Sequence, residues 1–148
     1  ETFVTKKIVR GLCNIFKKGS GKIYLGNLYA KRDWGHAKDY VVAMWKMLNQ
    51  KHPKDYVIAT GIQYSVKTFV NLVSKQLNMR IIWKGSGLKE KAYWNNKCII
   101  EIDQRYFRPT EVDSLKGDAK LARRELKWKP QSKISDLIQD MINEDLNA

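Results

Sequence analysis

An α/β layered fold is what this 148-residue sequence predicts. Segments of helical period alternate with short apolar runs of strand type, the order that layered α/β architectures require. Hydrophobic residues make up 43% of the chain and five are Trp, enough for one domain with a real core and too much large apolar surface for a disordered segment. No apolar run approaches the ~18–20 residues that span a bilayer.

The elements follow in order. Val4, Ile8, Leu12 and Ile15 recur at three- and four-residue spacing, one stripe of an amphipathic helix over 3–17 that Gly19-Ser20-Gly21 ends. Residues 22–26 are a strand candidate, followed by a polar loop through Gly35. Ala37, Tyr40/Val41, Met44/Trp45 and Leu48 give a second helix over 37–50, stopped by His52-Pro53 because proline disfavours helical geometry in the residue before it. Tyr56-Val57-Ile58-Ala59 reads as a strand. Ser65 is placed to N-cap a third helix carrying Val66, Phe69/Val70, Val73 and Leu77. Residues 80–83 and 98–102 read as strands, with an exposed polar loop from Gly85 to Lys97 between them. Asp118 and Ser132 are placed to cap the last two helices, over 119–126 and from Ile134 to Leu146. The predicted order is α-β-α-β-α-β-β-α-α, without internal repeats.

The charge is lopsided. Lys and Arg number 28 against 15 acids, a net +13, and the excess lies in residues 1–100, where 19 basic residues face 5 acids. Lys6, Lys7, Arg10, Lys17, Lys18 and Lys22 are the densest group. That is either a solvated helix face or a surface for a polyanion, nucleic acid or phosphorylated small molecule. Recognition motifs and aromatic stacking strips of nucleic-acid modules are absent, so nucleic acid is not the expected partner. Two Cys, 85 positions apart, offer neither a disulfide framework nor a CxxC site. No signal-peptide pattern opens the chain, and the expected setting is cytoplasmic, without membrane attachment. The first residue is Glu rather than Met, as in a processed product or a fragment.

Chemistry was sought at each motif. His36, His52, Cys13 and Cys98 lack metal-ligand spacing, so no metal is expected. No G-x-S-x-G elbow is present. Gly19-Ser20-Gly21-Lys22 follows a helix and precedes a strand, whereas a phosphate loop needs the reverse order to aim helix N–H groups at the anion. Two clusters stand out. In Arg32-Asp33-Trp34-Gly35-His36, Asp33 is placed to cap the following helix and Trp34 to pack under it, leaving Arg32 to face an anion. In Arg105-Tyr106-Phe107-Arg108-Pro109-Thr110-Glu111, Arg108 offers a forked donor suited to phosphate and Glu111 an acceptor for ribose hydroxyls. An internal Arg108–Glu111 pair that pins the loop is the other reading.

At these clusters the chain resembles a known family. The runs Glu1-Thr2-Phe3-Val4-Thr5-Lys6-Lys7-Ile8, Arg32-Asp33-Trp34-Gly35-His36-Ala37-Lys38-Asp39-Tyr40-Val41, Asp55–Gly61, Arg108-Pro109-Thr110-Glu111-Val112-Asp113 and Gly117–Ala122 are similar, in one order, to the C-terminal part of GDP-mannose 4,6-dehydratases. These belong to the extended short-chain dehydrogenases/reductases of the NAD(P)-binding Rossmann-like superfamily.

The resemblance implies that residues 1–148 are the C-terminal nucleotide-sugar-binding part of such an enzyme, the N-terminal NADP-binding Rossmann half being missing from the sequence. It implies a lyase that converts GDP-mannose to GDP-4-keto-6-deoxymannose, on the way to GDP-fucose. NADP-dependent oxidation at C4, loss of water across C5–C6 and hydride return at C6 make up that reaction. The family's catalytic Thr, Glu, Tyr and Lys are expected upstream of Glu1, so no catalytic residue is assigned here and the chain alone is expected to be inactive. A Tyr93…Lys97 spacing falls in the polar loop and is set aside as chance. By motif position Arg32 and Arg108 would hold the diphosphate, Glu111 the ribose, and Val4 and Lys7 would approach the guanine. Lys6 stands where many relatives have Arg, losing a bidentate fork. A homodimer or homotetramer is implied for the intact enzyme. A basic nucleic-acid module and a non-catalytic nucleotide-sugar-binding relative are the alternatives.

Overall fold

The computed structural model describes residues 3–107 and 112–147, so Arg108 and Glu111 lie outside the described residues. In chain order its elements are α1 (Val4–Lys18), β1 (Ile23–Leu25), β2 (Lys31–Arg32), α2 (Ala37–Leu48), β3 (Tyr64–Ser65), α3 (Val66–Gln76), β4 (Ile82–Lys84), β5 (Lys91–Trp94), β6 (Lys97–Ile102), α4 (Lys120–Glu125) and α5 (Ile134–Asn147). Two units divide them: residues 1–30, 65–113 and 138–148 in one, residues 31–64 and 114–137 in the other.

The first unit is built on a four-stranded mixed sheet of order β1-β6-β5-β4. β1 runs parallel to β6, with Ile23 opposite Ile100, while β5 runs antiparallel to both of its neighbours, β4 and β6. Ile8, Leu12 and Ile15 of α1 are buried, as are Phe69, Val70 and Val73 of α3, and the two helices pack together. Gly11 lets α1 approach the sheet closely: a β-carbon there would lie 2.6 Å from Ile23 Cδ1. Gly19 ends α1 in the left-handed conformation, its N–H bonded to Ile15 O at 2.8 Å. Ser65 caps α3 as its sequence predicts, accepting from Thr68 N at 3.0 Å.

The second unit gathers Ala43, Ala59, Ala119, Ala122, Leu126 and Trp128 around Tyr40, Met47, Tyr56 and Ile58. At its heart small residues pack around the buried Trp128 ring, which the Tyr40 ring meets edge-on with centroids 6.3 Å apart. Trp128 Nε1 donates to Asp39 O at 2.9 Å, which satisfies the indole inside that core.

Four expectations are corrected. Residues 91–94 are a strand, not exposed loop: β5 sits inside the sheet with Ala92 fully buried. Asn95 and Asn96, both at positive φ, form a two-residue hairpin turn into β6, a signal that the polar composition masked. Tyr56–Ala59 has strand patterning but joins no strand ladder among the described residues. Helix α2 ends at Leu48, five residues before Pro53, because the Asn49 side chain turns back to Trp45 O at 2.7 Å. Ser132 does not cap α5; its N–H donates to Asp39 Oδ2 at 2.9 Å, and Asp136 takes up Lys133 N instead. In addition, the two-residue β2 and β3, which pair with each other, fall in stretches read as loop.

Candidate functional site

Arg32 closes β2, which is held on one side by the Lys31–Ser114 bridge and by Leu115 N donating to Lys31 O at 3.2 Å. Its guanidinium donates to Lys31 O at 2.8 Å. Asp33, next along, does not cap α2. That task falls to His36, whose Nδ1 accepts from Lys38 N at 3.2 Å. Asp33 instead reaches across the unit to the Thr60–Gly61 turn, accepting from Thr60 N at 3.1 Å, from the Thr60 hydroxyl and from Gly61 N at 2.8 Å. Arg123 secures the same turn through Thr60 O at 3.0 Å. Thus a carboxylate that looked like a helix cap is the strut that ties the backbone next to Arg32 to the Thr60–Gly61 turn.

Together these segments line a cleft of about 420 Å³, with Arg32, Asp33, Trp34, Tyr40, Lys116 and Gly117 in its wall. Space there depends on glycine. A β-carbon on Gly35 would collide with the Tyr40 ring and hydroxyl, and one on Gly117 with Ala59. With the Asp33 oxygens engaged by three donors, the cleft offers two cations, Arg32 and Lys116, to an anion. Burial, with the Asp33 and Asp39 charges adding to it, raises the Tyr40 pKa, so its hydroxyl stays protonated at neutral pH. Asp39 sits below this wall. Burial opposes its ionisation, but the Ser132 and Gln131 amides and the Ser132 hydroxyl outweigh that cost and lower its pKa.

Val4 and Lys7 belong to the other unit, half-buried in the first turn of α1. The Lys7 ammonium lies 3.3 Å from the centroid of the Tyr106 ring, a cation–π contact that ties α1 to the turn just before residue 108. Lys6, at the Lys-for-Arg position, makes an ion pair with Asp145 of α5 at 2.9 Å. Its role is structural, and no local sequence signal pairs it with a residue 139 positions away. Lys116 and Tyr106 were given no role in the sequence for the same reason: each meets a candidate residue, Arg32 or Lys7, only through the fold.

Tyr93 and Lys97 are not a helical pair. They flank the β5–β6 turn, and Lys97 Nζ donates to Gly19 O at 3.0 Å. Among the described residues no group of three His, Cys, Asp or Glu side chains could hold a metal, and no helix is long and apolar enough to cross a membrane. Nor does the Gly19–Gly21 turn offer the dinucleotide NADP a phosphate loop. Gly19–Gly21 closes α1 and hands on to β1, with the Gly19 N–H spent on Ile15 O rather than turned toward a phosphate.

Comparison with known proteins completes the picture. The sequence profile of the family described as GDP-mannose 4,6 dehydratase matches residues 1–141. The chain is 48% identical to the GDP-mannose 4,6-dehydratase of Sinorhizobium fredii (strain HH103), over 99% of this chain and 42% of that protein. It is 49% identical to the GDP-mannose 4,6 dehydratase of Drosophila melanogaster, over 99% of this chain and 38% of the relative. It therefore spans about two fifths of the length of these curated relatives. Among solved structures it is similar to RMD from Pseudomonas aeruginosa complexed with NADPH, with a TM-score of 0.76 at 13% identity over 99% of this chain and 43% of that one. A UDP-glucose 4-epimerase structure gives a TM-score of 0.67 at 18% identity, over 99% of this chain and 40% of that one. At such identities the structures speak for the fold alone. Matched by the family profile over nearly all its residues, and near half identical to members from a bacterium and an insect, the chain belongs to the GDP-mannose 4,6 dehydratase family.

Proposed function

We propose that this chain is the nucleotide-sugar-binding part of a GDP-mannose 4,6-dehydratase, and that its task is to hold the GDP moiety. Arg32 and Arg108 bind the diphosphate, Glu111 the ribose, and Val4 and Lys7 border the guanine. The observation that carries this reading is the near-half identity to dehydratases along 99% of the chain. The cleft at Arg32 and Lys116 supports it, since a diphosphate brings about two negative charges and forked donors bind it through charge-assisted hydrogen bonds of ~1.5–3 kcal/mol each. Grip on the remote GDP group supplies binding energy that orients the sugar for reaction.

The whole dehydratase would act on GDP-mannose as a homo-oligomeric, NADP-dependent lyase. No step of the hydride chemistry is assigned to the described residues, and the chain by itself is expected to be inactive. Thermal melting of the folded chain tests the reading. Millimolar GDP should raise the melting temperature, and Arg108→Ala and Arg32→Ala should each abolish most of the rise. An unchanged melting temperature in a sample folded by circular dichroism would overturn it.

A further inference from the structure

The outer face of the four-stranded sheet carries positive charge that no acid among the described residues neutralises. Arg80, just before β4, and Ile82 and Lys84 within it alternate toward that face, the two-residue period of a strand. In the antiparallel register Lys84 lies opposite Lys91, and Ile82 opposite Tyr93. Like charges set directly opposite repel, and the sheet relieves only one of these two: Lys91 pairs with Glu101 at 2.8 Å. Glu90, the other carboxylate beside these strands, is spent on Lys67 and the Tyr29 hydroxyl. Arg80 and Lys84 are thus left without an ion pair among the described residues.

A groove collects these two cations. About 460 Å³ in volume, it is lined by Arg80, Ile82, Lys84 and Tyr93 and by Asn95 and Asn96 of the β5–β6 turn, with no acid in its wall. The Lys84 ammonium leans over the Tyr93 ring, 5.2 Å from its centroid. Since Tyr93 lies two residues nearer to the turn than Lys91 does, that lean draws the charge toward the Arg80 end. Asn95 and Asn96, held at positive φ by the turn, add two exposed carboxamides, and Ile82, 54% exposed, supplies apolar floor.

This set of groups selects its ligand. A phosphate monoester brings about two negative charges and three acceptor oxygens. A guanidinium fork, an ammonium and carboxamide N–H groups answer them with charge-assisted hydrogen bonds. The volume is that of a small-molecule site, and a single aromatic ring is no stacking strip for a nucleic-acid strand.

We propose that the groove between β4 and the Asn95–Asn96 turn binds a small phosphate monoester, with Arg80 and Lys84 on the phosphate, the asparagine amides beside it, and the carbon part on Ile82 and Tyr93. The groove lies wholly in the first unit, whereas Arg32 and Lys116 belong to the second, so the site does not rest on the GDP reading and fails separately from it.

NMR spectra of the isotope-labelled chain in ~0.15 M salt, where diffuse attraction is screened, test the site by titration with glucose 6-phosphate, inorganic phosphate and glucose. Glucose 6-phosphate should give saturable shifts at residues 80–84 and 93–96, including the Arg80 Nε–H and the Asn95 and Asn96 carboxamides. Inorganic phosphate should move the same signals with weaker affinity, lacking the part that Ile82 and Tyr93 cover, and glucose should move none. Arg80→Ala should weaken binding by roughly tenfold or more and Lys84→Ala by a smaller factor, both leaving the chain folded and its GDP-induced melting shift unchanged. Shifts that never saturate, that glucose reproduces or that Arg32→Ala removes would each overturn the proposal. So would binding of a single-stranded oligonucleotide alone at these signals, which assigns the groove to nucleic acid. Self-association of Lys84→Ala with no loss of glucose 6-phosphate binding would overturn it as well, assigning the cations to guarding the β4 edge.

Discussion

The two units solve the problem of burying apolar surface in different ways. In the first, four strands, α1, α3 and the end of α5 enclose branched and aromatic side chains such as Phe69, Ile8, Leu12 and Ile99, and its buried charges are paired at home. Glu90, almost fully buried, accepts from Lys67 and from the Tyr29 hydroxyl, and Glu101 is gripped by Lys22 and Lys91. In the second, four of the six residues at the heart of the core are alanines, and a large apolar stripe of α2 stays outside. Both units leave single apolar side chains at the surface, but in the second a whole row along α2, from Val41 to Leu48, is exposed. The contrast teaches that hydrophobic patterning marks which faces of a helix are apolar, not which of them its own fold covers.

Breaking each core tests the contrast most strongly. Phe69→Ala should cost the first unit about 3–5 kcal/mol in chemical denaturation, the usual penalty for deleting a fully buried aromatic ring. Next comes Trp128→Phe, which removes the indole bond to Asp39 O and part of the ring volume. It should cost about 1–3 kcal/mol. Hydrogen exchange should then rise in the 37–48 and 120–125 helices while the β5–β6 amides stay protected, because the two cores share none of these residues.

Acid provides a finer probe. Hydrogen bonds from Lys91 and Lys22 pull the Glu101 pKa from 4.5 down to about 2. The unfolded chain thus takes up this proton at higher pH than the folded one. The stabilisation is complete above pH 4.5 and is lost as the pH falls toward 2. Glu101→Gln should flatten the acid limb of the stability curve in that window and leave stability above it independent of pH through this group. The smallest effect belongs to the stripe. Trp45→Glu should change the stability of the isolated chain by less than ~0.5 kcal/mol, since the side chain is mostly in solvent. A large loss would show that the stripe is already packed within the chain.

Much of this was legible beforehand. The five helices were readable because helical period is a local property: Val4, Ile8, Leu12 and Ile15 declare their face without reference to the rest of the chain, and so does Ser65 as a cap. The strands were harder, since a strand is defined by its neighbour. Lys91–Trp94 looked like loop because its partner lies across an Asn-Asn turn, and Tyr56–Ala59 looked like a strand whose partner is not among the described residues. Arg32 was picked out by its motif, whereas Lys116 and the Tyr106 ring under Lys7 were not, being joined to the candidate residues only in space.

By itself, then, the sequence determined the layered α/β class, the helices, the family, and the residue types suited to a nucleotide diphosphate. Tertiary structure alone decided that Asp33 braces the Thr60–Gly61 turn instead of capping α2, that Asp39 takes the amide of Ser132, the residue expected to cap α5, and that half of the apolar arc of α2 stays uncovered. The physical reason is range. Periodicity and capping act within a turn or two of the chain, while a hydrogen bond between residues 27 or 93 positions apart exists only once packing has brought them to contact.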